Sequence, residues 1–224
     1  PKGPSILIIF SMNTLFMGCG GSGGGVYDID IPQAPPPGIV LSSPALSHNR
    51  IFIGSPEGFL YALDAAGNSL WNFDTTASVN SSPAVSTDGS IYFGSNNRNI
   101  YSLNQQGGLR WSYTTNGAVH SSPAIDHLGR IWIGSDDGHL YSFQSNGDTH
   151  FSTNTGAGIR TNPAVYGDAA VFVGNDAGTV ISYDLNGQQR YSFTSGTAAV
   201  TAGPVVDSLA NAYYGTDDGR MISL

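Results

Sequence analysis

From Ser42 onward, short apolar runs and polar turns alternate on a fixed spacing. The clearest unit is residues 121–160, SSPAIDHLGRIWIGSDDGHLYSFQSNGDTHFSTNTGAGIR, and reworded copies occupy 81–120 and 161–200. A first copy begins at Ser42 and a fifth near Ala202. Gly54, Gly94, Gly134, Gly174 and Gly215 hold the same place in each copy, spaced by 40, 40, 40 and 41 residues. A fixed period of this length marks a repeat architecture.

Four strands are predicted per unit. The first follows a Ser-Ser-Pro element, as in Ala84-Val85 and Ala124-Ile125. The second is a three-residue apolar run before the glycine, such as Ile91-Tyr92-Phe93 or Ile131-Trp132-Ile133. Consecutive apolar residues fit a strand covered on both faces. The third is Leu60-Tyr61-Ala62-Leu63 and its equivalents, and the fourth carries Trp71, Trp111, Phe151 or Tyr191. One small four-stranded sheet cannot bury both its faces, whereas sheets stacked radially can. The expected fold is therefore all-β, a β-propeller with about 40 residues per blade and about five blades present. A β-solenoid has shorter coils and lacks three tight turns per unit.

The pattern before Ser42 differs. Lys2 precedes an apolar stretch from Ile6 to Gly18, about 13 residues long, whereas a membrane span needs roughly 20. It suits the core of an export signal. The stretch ends at Cys19, the only cysteine, and Gly20 to Gly25 then form a flexible tether. A lone cysteine makes no internal disulfide, and a thiol followed by a tether suits an anchor. Residues 1–19 resemble a bacterial lipoprotein signal with its lipobox, which implies lipidation of Cys19 and export to a membrane, with Gly20 favouring the outer one. Residues 20–41 are a linker. Val26 to Ile31 alternate apolar and polar positions like a half-buried strand, and Pro35-Pro36-Pro37 extend the connection to the repeats at 42–224.

Composition narrows the function classes. Charged residues make up 11% of the chain and the net charge is -8. The eight basic residues are scattered, which argues against nucleic acid as a partner. His48, His127, His139 and His150 occur singly, without metal-ligand spacing. Asp136-Asp137-Gly138 and Asp217-Asp218-Gly219 read as hairpin turns rather than calcium loops. No metal site and no catalytic constellation is expected.

The residues Asp64, Gly67 and Trp71, in the stretch DAAGNSLW, resemble the docking motif of pyrroloquinoline-quinone (PQQ) type propeller repeats. In that family an Asp, a turn Gly and a Trp tie adjacent blades together. Asn104, Gly107 and Trp111 follow the motif with Asn for Asp, while Phe151 and Tyr191 replace the Trp in the next two units. The resemblance implies structural, inter-blade roles for Trp71, Trp111, Phe151, Tyr191 and the five period-marking glycines. It also implies rings of seven or eight blades. A truncated ring is one expectation; the other is a ring closed at five, with Val26–Ile31 beside Met221–Leu224. The repeat serves two groups: quinoprotein dehydrogenases, and non-catalytic propellers that include the lipoprotein of the outer-membrane barrel-assembly machinery. The latter is similar in having a lipobox, a linker and these repeats. Many quinoproteins carry an adjacent cysteine pair over the cofactor, and this chain has one cysteine. The expected function is a non-catalytic scaffold anchored to a membrane, with another envelope protein as partner and no cofactor. The alternative is a fragment of a PQQ-dependent dehydrogenase, needing PQQ and calcium.

Connectivity places the fourth-to-first joins and the second-to-third turns on one face. The joins present Leu41, Asn80, His120, Arg160 and Thr201. The turns present Asn96, Asn97, Arg98, Asp136, Asp137, His139, Asp176, Asp217 and Asp218, with Glu57 in the first unit. These positions vary on a constant scaffold, which is where specificity is placed. The binding candidates are Asn80, His120, Arg160, Asn96, Arg98, Asp136, Asp137 and His139, with His120 and Arg160 foremost. The competing reading is that all are solvated loop residues.

Overall fold

The computed structural model describes residues 42–209 and 211–224, so Cys19 and Val26–Ile31 lie outside the described residues. Every regular element described is a β-strand. The first sheet runs β1 (Ala45–Ser47), β2 (Arg50–Gly54), β3 (Phe59–Asp64) and β4 (Ser69–Asp74). The second runs β5 (Ala84–Val85), β6 (Ile91–Gly94), β7 (Asn99–Leu103) and β8 (Leu109–Thr114). The third has β9 (Ala124–Ile125), β10 (Ile131–Gly134), β11 (His139–Phe143) and β12 (Thr149–Asn154). The fourth has β13 (Ala164–Tyr166), β14 (Ala170–Gly174), β15 (Thr179–Tyr183) and β16 (Gln189–Thr194). The fifth has three strands, β17 (Val200–Val206), β18 (Ala212–Thr216) and β19 (Met221–Ser223). Strand order in each sheet follows the chain, and all pairs are antiparallel.

Burial follows the predicted pattern. The middle strands β6 and β10 are buried along their whole length, and the fourth strands β4 and β8 mostly alternate half-buried and exposed positions. The core therefore lies between sheets. Phe52 and Leu60 of the first sheet pack with Ile91, Phe93 and Leu103 of the second. Consecutive sheets stack in this way along an arc, and among the described residues the arc does not close.

The Ser-Ser-Pro element has a hydrogen-bonding purpose that periodicity does not reveal. The first hydroxyl of each pair accepts from the glycine N–H of its own second strand: Ser42 from Gly54, Ser81 from Gly94, Ser121 from Gly134, at 3.0–3.1 Å. Thr161 does the same for Gly174. The second residue ties one blade to the next. The N–H of Ser43 donates to Ser82 Oγ, that of Ser82 to Ser122 Oγ, and that of Ser122 to Asn162 Oδ1, each at 2.8 Å. In the fifth unit Ala202 and Gly203 carry no such groups. Ala202 pairs directly with Gly215 through the backbone, and β17 starts at Val200. Thr201, expected in a join, is thus inside a strand with two register shifts.

The aromatic rings at the docking-motif positions of three blades meet the next blade. Trp71 Nε1 donates to Gln105 O at 3.0 Å and Trp111 Nε1 to Ser145 O at 3.1 Å, each on the next blade. The turn glycines Gly107, Gly147 and Gly187 make room for the rings of Trp71, Trp111 and Phe151. Their backbones also sit at positive φ, where a side chain is strained. Tyr191 departs from this pattern. It is 47% exposed and meets Phe172 of its own sheet.

Candidate functional site

Each join carries a buried anchor followed by a variable residue. Val79, Val119 and Ile159 are fully or almost fully buried, and the next residues are Asn80, His120 and Arg160. The anchors sit against the period-marking glycines. A Cβ on Gly54, Gly94 or Gly134 would stand 2.2–2.6 Å from a side-chain carbon of Val79, Val119 or Ile159. Gly174 makes the same room for Val200, and Gly215 faces Ala202. The turns are latched to the joins through the backbone. The N–H groups of Asn96, Asp136, Asp176 and Asp217 donate to Ser78 O, Ala118 O, Gly158 O and Ala199 O at 2.8–3.0 Å. A join residue is thereby held beside a turn residue on the following blade.

On blades three and four this latch assembles a chain of charges. His120 Nε2 lies 3.5 Å from Asp136 Oδ2. Arg160 Nε lies 3.1 Å from Asp136 Oδ1 and 3.5 Å from Asp176 Oδ2. The Arg160 side chain is 61% exposed, so its guanidinium edge is open to solvent while one side is oriented by two carboxylates. Its hydrogen bond to Asp136 raises its affinity for the proton further. Burial pushes the Asp176 carboxyl up; Asp136 adds to this and Arg160 opposes it. The arrangement presents a fixed cation flanked by acceptors, suited to pairing with a polar or acidic group of a partner.

The other candidates separate. Asp137 points inward with its side chain 6% exposed. It accepts from Asn116 N, His139 N and Tyr141 OH at 2.8–2.9 Å. Burial opposes its charge, yet these donors hold its carboxyl below the usual range. Tyr141 is correspondingly pushed up, by burial first and then by Asp137. His139 stands 3.4 Å from Asp137, half-buried. Arg98 is exposed at φ 73°, where blades one, three and four have Gly58, Gly138 and Gly178. Its carbonyl takes the Thr115 N–H and hydroxyl. Asn80 and Asn96 are both half-buried on blade two's side of the face, and Asn96 Oδ1 is buried without a hydrogen-bond partner among the described residues. The sequence pattern gave Asp126 and Arg130 no role and Trp132 only a place in the second strand, yet the three form a buried polar cluster at the opposite end of blade three. The repeat offered a signal for it, since Arg130 falls at the position of Arg50.

Four-stranded antiparallel sheets, joined fourth strand to first every 40 residues and stacked face to face, define a β-propeller, a partial ring among the described residues. The sequence matches the profile of the family described as outer membrane protein assembly factor BamB, over residues 34–119 and 56–224, and the chain belongs to that family. No curated protein matches it. Among solved structures it is similar to BamB from Moraxella catarrhalis, at 20% identity and a TM-score of 0.69, covering 83% of this chain and 61% of that one. It is also similar to the computationally designed protein Ika8, at 18% identity and a TM-score of 0.71, covering 80% of this chain and 56% of that one. The chain thus spans less than two thirds of either structure, and both likenesses speak to the fold.

Proposed function

We propose that this propeller is a non-catalytic scaffold for another envelope protein, acting in outer-membrane protein assembly and held at the membrane by a lipid on Cys19. The family supports the assembly role. The single observation that carries the binding reading is the chain His120–Asp136–Arg160–Asp176, built across blade boundaries and left partly open. An enzyme needs a reacting group poised over a substrate pocket, whereas His120, Asp136, Arg160 and Asp176 engage one another.

A photo-crosslinking residue placed at Arg160 of the full chain, in envelope-bearing cells, is expected to capture an envelope protein. The same probe at Gln106, on the opposite end of blade two, is expected to capture none. Arg160→Glu, read with the probe at Asn80, is expected to weaken capture by about tenfold, one lost charged contact. Equal capture from both ends, or capture indifferent to Arg160→Glu, would overturn the assignment. Cys19→Ser is expected to move the protein from the membrane pellet to the soluble fraction; retention in the pellet would exclude the anchor.

A further inference from the structure

The first-to-second and third-to-fourth turns lie at the end of each sheet opposite the ion-pair face. Here blades one and three place an arginine at the start of the second strand. Arg50 donates from that position to Gln105 O on the next blade, and Arg130 donates to Leu185 O at 2.7 Å. Blades two and four have Ser90 and Ala170 instead. On blade two a cation comes from Arg110 on β8, whose Nη1 donates to Ser90 Oγ, Tyr92 OH and Ser102 Oγ. Beside it lies an open cavity of about 400 Å³ lined by Asp88, Ser90, Asn104, Gln105, Gln106 and Arg110. Small-ligand sites run roughly 300–1,000 Å³.

The lining is prearranged. Asp88 takes its hydrogen bonds from Ser86 Oγ, Ser90 N and Ser90 Oγ rather than from Arg110. Gly89 sits at φ 82°, and a Cβ there would stand 1.8 Å from Gln105 Nε2, so only glycine lets that amide lie across the turn. The cavity therefore offers a carboxylate, a guanidinium and side-chain amides together. A simple anion would meet Asp88, and a simple cation would meet Arg110. A neutral hydroxyl satisfies both, donating to the carboxylate while accepting from the guanidinium. We propose that this cleft on blade two binds a neutral saccharide, at a site separate from the partner-binding face.

The test is an amide and guanidinium NMR titration of the isotope-labelled full chain with N,N′-diacetylchitobiose and, separately, maltose. Saturable shifts of the Gln105 side-chain amide and Arg110 Nε–H are expected with at least one sugar. Arg110→Gln and Asp88→Asn should each weaken binding about tenfold. Asp88 is exposed, so its isosteric variant keeps the test valid if Arg110→Gln disturbs folding. No shift at millimolar sugar, shifts that survive both substitutions, or the same shifts produced by sodium sulfate alone would overturn the proposal.

Discussion

Asp126→Ala is expected to destabilise the protein by about 3–5 kcal/mol, the cost of leaving a buried partner charge uncompensated. Asp126 and Arg130 are both about 5% exposed. The carboxylate accepts from Arg130 Nε at 2.7 Å and from Trp132 Nε1 at 3.0 Å. It also caps the backbone N–H groups of Leu128 and Arg130. Arg130 reaches across to Leu185 O, which His150 Nε2 also contacts at 3.0 Å, so the cluster ties blade three to blade four. Arg130 Nη2 already has no hydrogen-bond partner among the described residues. Removing the carboxylate leaves Arg130 Nε and the Trp132 indole without their acceptor, and Leu185 O alone does not neutralise the guanidinium charge. Urea unfolding measures the loss, and a cost under about 1 kcal/mol would mean that water replaces the carboxylate. The double variant Asp126→Ala/Arg130→Met should recover part of the stability, because the stranded charge goes with it.

The same pair has a pH signature. Burial pushes the Asp126 carboxyl up, but hydrogen bonds from Trp132 and Arg130 and the nearby cation outweigh it, so the folded value lies below the ordinary one. Its contribution is thus present above the unfolded value, about 3.9, and lost as pH falls through the lower folded value. Below about pH 4 the wild-type protein should lose stability more steeply than Asp126→Ala. Parallel acid slopes would mean that Asp126 is not held in its charged form.

Gly134→Ala is the second large effect expected, a loss of about 1–3 kcal/mol from overpacking. The new Cβ would stand 2.2 Å from Ile159 Cγ2 and 3.0 Å from Ile159 O, and Ile159 is fully buried. Relief requires the join to move. Arg160 is the next residue, so the variant should also weaken partner capture at that position. Gly129→Ala serves as comparator: nothing lies within 4 Å of its Cβ, and it carries only the strain of φ 76°. A thermal or urea midpoint for Gly134→Ala equal to that of Gly129→Ala would show that Ile159 repacks freely.

Much of the fold was legible in the repeat. A 40-residue period with four apolar stretches places nearly every strand, since alternation and burial are written in local residue type. The fifth unit escaped in part. Thr201 looked like a join residue by position, but the missing hydroxyl at Ala202 and the missing side chain at Gly203 let the backbone pair straight through. The site was legible as a set of variable positions and no further. His120, Asp136 and Arg160 stood out by position, yet Asp137 stood beside Asp136 with the same chemistry, and only the turn geometry sends it inward to Tyr141.

The sequence by itself determined the strands, the blades, their order and the glycines on which the joins rest, because those follow from local propensity and a repeated burial pattern. The tertiary structure alone decided which charges meet. His120 and Asp136 are 16 residues apart, and Arg160 and Asp136 are 24 apart. Their contacts depend on one blade's turn being latched to the preceding blade's join. The same is true of the Ser-Ser-Pro ladder, whose hydrogen bonds span 39 or 40 residues. A period announces that such partners recur, but only the stacking of one sheet on the next brings their atoms within hydrogen-bonding reach.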